Sequence, residues 1–308
     1  MDNLKDLYNK NINLMNYLRN IHNVEENEAD FILKSYDLQA GSYVEAFNSN
    51  ETITNSYIDN VKQPTTLKNI IDCMTTELAR NINELGEFSS ILDAGIGEAT
   101  FLVPLADRLN NKNIDFYGFD ISASRINVAN KFSEDNNLHI NTFVGDMNYI
   151  PLPDKSIDIV YTAHAIEPNT NNEKNIIKEL FRITNKYLIC IEPSYNLGNQ
   201  ETKKNIDKHK YIKNLKREAE NLDGEIIKYE LFPCGTYNNQ SEIIIIKKEA
   251  QKSITDDTNY VCPVCREELK LHKNNFYCKN CLCVYPILDN IPILLPGSRI
   301  IYSKYIEE

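Results

Sequence analysis

Two stretches of this 308-residue chain combine residue types at spacings that could do chemistry. The first places Asp93, Gly95 and Gly97 directly after the apolar run 90–92 and before a helix-compatible stretch. Glycines at alternate positions let the backbone turn sharply and approach a ligand closely, and the following helix directs unpaired N–H groups toward that ligand. The same turn can serve structure alone, and a dinucleotide is a poor match because Thr100 stands where a third glycine is expected.

The second stretch holds five of the eight cysteines. Cys262 and Cys265 form one C-x-x-C pair, and Cys278 and Cys281 form another after a spacer of twelve residues. Four thiolates at this spacing are typical of a structural zinc site, in which the closed tetrahedral shell leaves no place for a reactive water. A disulfide pair or a chance arrangement is the alternative. Cys283 could replace Cys281 as a ligand, although Cys281 keeps the knuckle spacing.

Further polar side chains follow the later apolar runs, at the points where strands would end. They are Asp120 after the run 115–120, Asp146 and Met147 after 141–144, and His164 and Glu167 after 157–162. Parallel strands bring such positions to one edge of a sheet, where ligands of open α/β sheets bind. An acid one strand–helix unit after a glycine turn can hold ribose hydroxyls.

Alternating strand and helix patterns predict an α/β protein with a doubly wound, mostly parallel sheet. Strands are predicted at 90–93, 115–120, 141–144, 157–162, 187–192, 225–231 and 242–247, and helices at 100–109, 122–134, 173–183 and 202–222. Several of these strands are continuous apolar runs, as expected where helices cover both faces. The segment 232–240 is too short for a helix, so we expect the last strand to be antiparallel.

With these motifs in order, residues 89–248 resemble the class I S-adenosylmethionine (SAM)-dependent methyltransferases, in particular their type 11 branch. The resemblance implies a Rossmann-like fold and SAM as cofactor, with S-adenosylhomocysteine (SAH) as its product. It also implies roles for the site residues. Asp93, Gly95 and Gly97 would face the methionine part of SAM, and Asp120, with Ile121 beside it, would bind the ribose. Asp146 and Met147 would flank the adenine. Ala99 replaces the usual third glycine of the motif and is still small enough for close packing.

The cysteine segment, about residues 260–296, resembles a small zinc-ribbon family. Members of that family act as activating subunits of tRNA, ribosomal RNA and release-factor methyltransferases, on which they pack. The resemblance implies a ribbon fused in cis, with one structural zinc held by Cys262, Cys265, Cys278 and Cys281. The apolar stretch 287–295 is more hydrophobic than a free surface module needs, so we expect it to dock on the main domain.

Five parts of the chain follow from these patterns. They are a helical N-terminal cap at 1–85, the methyltransferase domain at 86–250, a polar linker at 251–258, the zinc ribbon at 259–298 and a tail at 299–308. Caps that precede this fold cover the SAM pocket and help to select the substrate in related enzymes, although packing alone would explain one equally well. Tyr36, Gln39 and Tyr43 break the helical pattern and could touch cofactor or substrate, or simply face solvent.

Candidates for a catalytic base lie after the fourth and fifth predicted strands. His164 and Glu167 follow the fourth strand, and the segment 192–195 follows the fifth. We predict that His164 or Glu167 serves the chemistry, whereas His209 belongs to a solvated helix face. Many class I enzymes use no general base, because alignment of nucleophile, methyl carbon and sulfur can suffice.

Composition narrows the function classes. A formal net charge of −11 disfavours tight binding of naked nucleic acid unless a local basic patch exists, and 203–217 is the one basic stretch. No stretch of about twenty apolar residues and no signal-peptide pattern stands out, so we expect a cytoplasmic protein without a membrane span. The sequence predicts no oligomeric state.

Three functions remain open from the sequence. The first is methyl transfer to a hydroxyl or amine of a small molecule, sugar or glycan, which the acidic composition favours. The second is methylation of RNA or protein with the ribbon as activator. The third is a non-catalytic SAM-binding scaffold, against which the intact motif argues. The segment 192–195 reads Glu-Pro-Ser-Tyr in place of the Asn-Pro-Pro-Tyr motif, which argues against glutamine or adenine-N6 substrates.

Overall fold

The computed structural model describes residues 3–49, 51–52, 54–58, 61–249 and 260–306. The predicted linker at 251–258 lies outside the described residues. None of the helices in the described ranges has both the length and the apolar composition that crossing a bilayer requires.

Helices and strands alternate through the central part of the chain. The helices are α1 (Leu4–Asn9), α2 (Leu14–His22), α3 (Ala29–Leu38), α4 (Ser42–Asn48), α5 (Leu67–Asn83), α6 (Leu102–Arg108), α7 (Ala123–Asp135), α8 (Glu173–Ile183), α9 (Gln200–His209) and α10 (Leu215–Glu220). The strands are β1 (Thr54–Ile58), β2 (Val61–Thr65), β3 (Ser90–Ala94), β4 (Asp115–Asp120), β5 (Asn141–Val144), β6 (Ile157–Ala163), β7 (Thr184–Pro193), β8 (Glu225–Leu231), β9 (Cys234–Thr236), β10 (Ser241–Lys247), β11 (Lys270–His272), β12 (Asn275–Cys278), β13 (Cys283–Leu288), β14 (Ile291–Pro292) and β15 (Ile300–Ile301).

The central sheet has seven strands in the order β5-β4-β3-β6-β7-β10-β8. The pairs among β5, β4, β3, β6 and β7 are parallel. Strand β10 runs antiparallel to both of its neighbours, β7 and β8. This confirms the predicted α/β fold with a mostly parallel sheet and an antiparallel last strand.

Alternate side chains of the central strands pack into two separate hydrophobic cores. Ile91 of β3 and Ile159 of β6 belong to the core that helices α5, α6 and α7 cover. Their neighbours Leu92 and Val160 belong to the opposite core, which contains α8 and α10. All four side chains are fully buried, which is why these strands read as continuous apolar runs rather than as an alternating pattern.

The sequence-based prediction missed two features. The N-terminal region is not helical throughout, because β1 and β2 form a hairpin that pairs with β9. The predicted helix at 202–222 is wrong as a single helix, since α9 and α10 are separate. Lys210 ends α9 in the left-handed region at φ 58°, and the backbone N–H of Ile212 donates to the carbonyl of Glu167.

The cysteine-containing segment packs on the central sheet. Strand β5 is followed by the stretch 145–156, in which the structure places no helix to cover the sheet. Ile293 forms a parallel bridge with Val144 of β5, and the backbone N–H of Leu294 donates to the Val144 carbonyl at 2.9 Å. Tyr260 packs edge-on against Phe143 with ring centroids 5.3 Å apart. The expected docking of the stretch 287–295 is therefore confirmed.

The predicted tail also contributes to this module. Strand β15 pairs antiparallel with β13 and so extends the sheet of β11, β12 and β13. The division of the chain into five parts stays a prediction.

We expect Leu294→Ala to lower the free energy of unfolding by about 2–5 kcal/mol, because the side chain is fully buried between the module and the sheet. Leu288→Ala is the matched control, since that side chain is 57% exposed and its loss should change stability by less than about 0.5 kcal/mol. Urea unfolding of both variants measures the difference. Equal stabilities would show that docking contributes nothing to the fold.

Candidate functional site

A cavity of about 350 Å³ opens at the carboxyl ends of the central strands. Its lining contains every predicted cofactor and catalytic residue: Asp93, Gly95, Gly97, Asp120, Ile121, Asp146, Met147, His164 and Glu167. The volume falls in the range of sites for small ligands. The structure thus brings together residues that lie up to 74 positions apart in the sequence.

The glycine turn forms the floor of this cavity. Gly95 has φ +84°, and a Cβ there would lie 2.5 Å from the Cβ of Ala165 and 2.8 Å from the Cε of Met147. The backbone N–H groups of Gly95 and Ile96 both donate to the carbonyl of Phe119, at 2.9 and 3.0 Å. Glycine is therefore required at position 95 both for its conformation and for its close packing.

Asp120 is buried beside this turn. Its two carboxylate oxygens accept hydrogen bonds from the backbone N–H groups of Gly97 at 3.1 Å and Ser122 at 2.9 Å. Burial raises the pKa of Asp120, although Arg125 and the two N–H donors oppose that shift. The carboxylate is thus held in one orientation at the end of β4.

Asp93 lies at the end of β3 and accepts a hydrogen bond from the hydroxyl of Tyr161 at 2.7 Å. Burial raises the pKa of Asp93 to about 7, against the effect of that hydrogen bond. Asp146 accepts from both the backbone and side-chain N–H groups of Asn148, at 2.8 and 3.0 Å.

His164 and Glu167 form a hydrogen-bonded group at the opposite side of the cavity. The Nδ1 atom of His164 lies 3.3 Å from Oε2 of Glu167, and Nε2 lies 2.8 Å from the hydroxyl of Ser241. Asn239 donates to the same Glu167 oxygen at 3.3 Å. Burial acts to lower the pKa of His164, but the hydrogen bond and charge of Glu167 outweigh it and raise that pKa.

Glu192 holds the loop that carries this pair. Its carboxylate is fully buried and accepts from the backbone N–H groups of Ala165, Ile166 and Glu167 at 3.1–3.2 Å. Burial and the nearby Glu167 charge raise the pKa of Glu192 to about 7. Glu192 therefore positions the loop and is not among the residues that line the cavity.

The other residues considered from the sequence divide between the cavity and the surface. Tyr36 and Tyr43 line the cavity, whereas Gln39 lines a separate recess with Tyr8 and Ser35. His209 lies outside the cavity lining and stacks on Tyr211 with ring centroids 5.5 Å apart.

Carboxylates at two helix N-termini connect the helical cap to the main domain beside the cavity. Glu98 accepts from the backbone N–H groups of Gly41 at 3.0 Å and Val44 at 2.8 Å, at the beginning of α4. In the opposite direction, Asp37 of α3 accepts from the Ser122 hydroxyl at 2.7 Å, at the beginning of α7. Acidic side chains at helix N-termini satisfy unpaired N–H groups and the helix dipole.

Arg125 and Asn239 line the cavity, but the sequence analysis did not single them out. Arg125 lies in the first turn of α7, five residues after Asp120, where a basic residue reads as an ordinary helix position. Asn239 lies in the connection before β10 and reads as a turn residue. Asn239 is revealed only by the tertiary arrangement. The one usable signal was the position of Arg125 just after the acid that ends β4.

The four predicted metal ligands cluster in the C-terminal module. The Sγ atoms of Cys262, Cys265, Cys278 and Cys281 all lie within 4.8 Å of one another. Cys262 and Cys281 are 3.9 Å apart, and Cys265 and Cys278 are 3.5 Å apart. These separations are too long for disulfides and match the edges of a tetrahedron with Zn–S bonds of about 2.3 Å. The residues therefore fit a zinc ion.

Comparisons with known proteins agree with this fold. A family model described as a methyltransferase domain matches residues 91–186. A search of curated protein sequences finds no match to the chain. Magnesium protoporphyrin IX methyltransferase from Synechocystis PCC 6803, solved with bound SAH, is similar in structure, with a TM-score of 0.53 and 13% identity over 72% of this chain and 100% of that one. The [4+2]-cyclase SpnF is similar at a TM-score of 0.54 and 14% identity, over 73% and 98%.

The sheet order, the cavity at its carboxyl edge and the family match define a class I methyltransferase fold. These findings support a SAM-dependent methyltransferase, and the domain that the family model matches lies at the centre of the chain.

We expect Cys278→Ser to abolish binding of one zinc ion per chain and to lower the melting temperature, because metal affinity is folding energy in so small a module. The central sheet should remain folded. Cys73→Ser, a change outside the cluster, is the control and should keep its metal. Metal content by mass spectrometry and thermal unfolding provide the measurements, and a metal-free wild type would contradict the zinc assignment.

Proposed function

We propose that this enzyme transfers the methyl group of SAM to a hydroxyl or amine of a small molecule, a class that includes sugars and glycans. One observation carries the proposal: a single cavity contains both the glycine turn with its acids and the His164–Glu167 pair. Cofactor and acceptor groups would therefore meet in one enclosed space.

The cofactor half of the cavity fits SAM. We assign the methionine part to Asp93 and the glycine turn, the ribose to Asp120 and Ile121, and the adenine to Asp146 and Met147. When bound, SAM supplies an electrophilic methyl group on a sulfonium cation. The carboxylates that line the cavity give a potential that suits this charge.

The acceptor half combines an apolar wall with the polar pair. The wall consists of Ile32, Leu67, Ile70, Ile71 and Met74, from α3, the start of α5 and its first turns. An acceptor with an apolar body would bury that body there and direct its nucleophile toward Glu167.

Glu167 is the group that faces the acceptor in this proposal. Both ring nitrogens of His164 are within hydrogen-bonding distance of protein atoms, Glu167 and Ser241. His164 therefore orients Glu167 and shares its proton, while the carboxylate accepts the proton that the nucleophile loses. Asn239 fixes the carboxylate by donating to Oε2. We expect these residues to contribute only by alignment where the acceptor is already a free base.

An RNA or protein acceptor has less support. The basic stretch 203–217 lies on α9, α10 and their connection. Lys213 pairs with Asp207, Lys216 with Glu220, and Arg217 with Glu218, so nearby acids pair with three of its seven basic side chains. Such pairing is typical of a solvated helix surface rather than of a phosphate-binding strip.

We propose a structural zinc in the C-terminal module, with Cys262, Cys265, Cys278 and Cys281 as ligands. Cys283 is buried outside this group. The ion would hold the two knuckles together, and the module would cover the sheet beside β5. Residence in the cytoplasm stays a prediction from the sequence.

Asp120→Ala should weaken SAH binding by about tenfold to a hundredfold, because hydrogen bonds from the ribose hydroxyls to a charged group are lost. Asp115→Ala removes an exposed acid at the other end of the same strand and is the matched control. Isothermal titration calorimetry measures both variants. Equal affinity in wild type and Asp120→Ala would remove this residue from the cofactor site.

Glu167→Gln should reduce methyl transfer by about 10²–10⁴-fold while SAH binding stays unchanged, since only proton acceptance is lost. The assay is transfer of labelled methyl from SAM into small-molecule, glycan, RNA and protein fractions of a cell extract. Glu134→Gln, an exposed change on α7, is the matched control. Label in the RNA or protein fraction alone would overturn the acceptor class, and no transfer by wild type would favour the scaffold alternative.

We expect the rate of methyl transfer in this assay to depend on pH. Because the pKa of His164 is raised above 6.5, the pair holds an extra proton at mildly acidic pH and cannot accept another. Activity should therefore fall as the pH drops through a value above 6.5. In Glu167→Gln the residual activity should fall at a lower pH, because Glu167 is the main cause of the upward shift. An unchanged midpoint would contradict the shared proton.

A further inference from the structure

Arg125 is a buried cation with one donor atom that lacks a hydrogen-bond acceptor. Its side chain lines the cavity, and the residue is only 7% exposed. The Nε atom is fully buried and has no hydrogen-bond partner within the described chain. A buried donor left unpaired is costly, and a charged one more so, which points to a ligand that supplies the missing acceptor.

The carboxylates nearest to Arg125 are occupied by backbone groups. Both oxygens of Glu98 accept from the N–H groups of Gly41 and Val44, and both oxygens of Asp120 accept from those of Gly97 and Ser122. Glu98 Oε1 lies 3.8 Å from Arg125 Nε, which is beyond a hydrogen bond. Glu98 and Asp120 therefore balance the charge of the guanidinium, but they accept none of its hydrogen bonds.

Two tyrosines from the cap hold the guanidinium in place. The Cζ atom of Arg125 lies 4.7 Å from the ring centroid of Tyr43 and 5.2 Å from that of Tyr36. The side chain of Tyr43 also hydrogen-bonds to Arg125, and an arginine packed on aromatic rings can present its remaining N–H groups to a planar anion. The site is therefore composite, because α7 supplies the charge and the cap supplies the aromatic surfaces.

The guanidinium also lies directly over the glycine turn. A Cβ built on Gly97 would be 3.3 Å from both Cζ and Nη2 of Arg125. Among the lining residues, Arg125 is the one lysine or arginine, beside the acids Asp93, Glu98, Asp120, Asp146 and Glu167. A carboxylate that enters this cavity meets no other lysine or arginine among the described residues of the lining.

We propose that Arg125, held by Tyr36 and Tyr43, is the carboxylate-binding residue of the cavity. Its position over the glycine turn favours the methionyl carboxylate of the cofactor, and this assignment rests on the proposed function because that function places the methionine part there. The carboxylate of an acidic acceptor is the second source of the same chemistry. Charge-assisted, bidentate contacts between arginine and a carboxylate give both strength and selectivity.

The test compares SAH with S-adenosyl-3-thiopropylamine, which keeps the amine of SAH and lacks its carboxylate. Calorimetry on the full chain should show that wild type binds SAH about tenfold to a hundredfold more tightly. In Arg125→Met this preference should fall to about one, through loss of SAH affinity alone. Arg125→Lys keeps the positive charge but loses the paired N–H donors of the guanidinium. Its preference for SAH over the amine should therefore be intermediate. Lys131→Met, on the exposed face of the same helix, is the control and should keep the wild-type ratio.

Labelled methyl transfer into a cell extract, with products separated by anion exchange, distinguishes the two sources. An unchanged SAH preference in Arg125→Met with selective loss of acidic products would assign the carboxylate to the acceptor. An unchanged preference with unchanged products, or equal weakening of both ligands, would overturn the proposal. Failure of wild type to bind either ligand would instead contradict the proposed cofactor site.

Discussion

The double burial of the central parallel strands is the constraint on which the rest of the structure depends. Each of these strands sends alternate side chains into two different cores, so both of its faces are covered. Reactive groups are therefore confined to the carboxyl edge of the sheet, where the strands end in loops. The glycine turn after β3, the acid at the end of β4 and the loop after β6 all open into one cavity there.

This constraint also explains the position of the C-terminal module. The stretch between β5 and β6 leaves the sheet beside Val144 without a helix, and a bare apolar surface there would be exposed. The module covers it through Ile293, Leu294 and Tyr260, whose contacts reach the strand that leads into Asp146. A segment that reads as a separate ribbon in the sequence is thus part of the main core in the structure.

Local patterns were sufficient for the sheet and for the residues at strand ends, because a strand, a turn and a helix are each encoded by neighbouring residues. They were insufficient for the β1–β2 hairpin, whose β2 strand is largely exposed and carries no apolar alternation. They were also insufficient for the break after α9, where Lys210 adopts a left-handed conformation without a glycine or proline to signal it. The importance of Arg125 depends on which distant groups surround it, and a single sequence does not contain that information.

Several carboxylates in this protein hold parts of its own chain in place. Glu192 fixes the loop after β6, while Glu98 and Asp37 join the cap and the main domain in opposite directions. Lifting the cap would take the Glu98 acceptors from α4 and the Asp37 acceptor from the N–H of Ser124, while Ser122 would still cap α7. The cap and the main domain therefore each supply acceptors to a helix start of the other, and displacing the cap would break both sets of contacts at once.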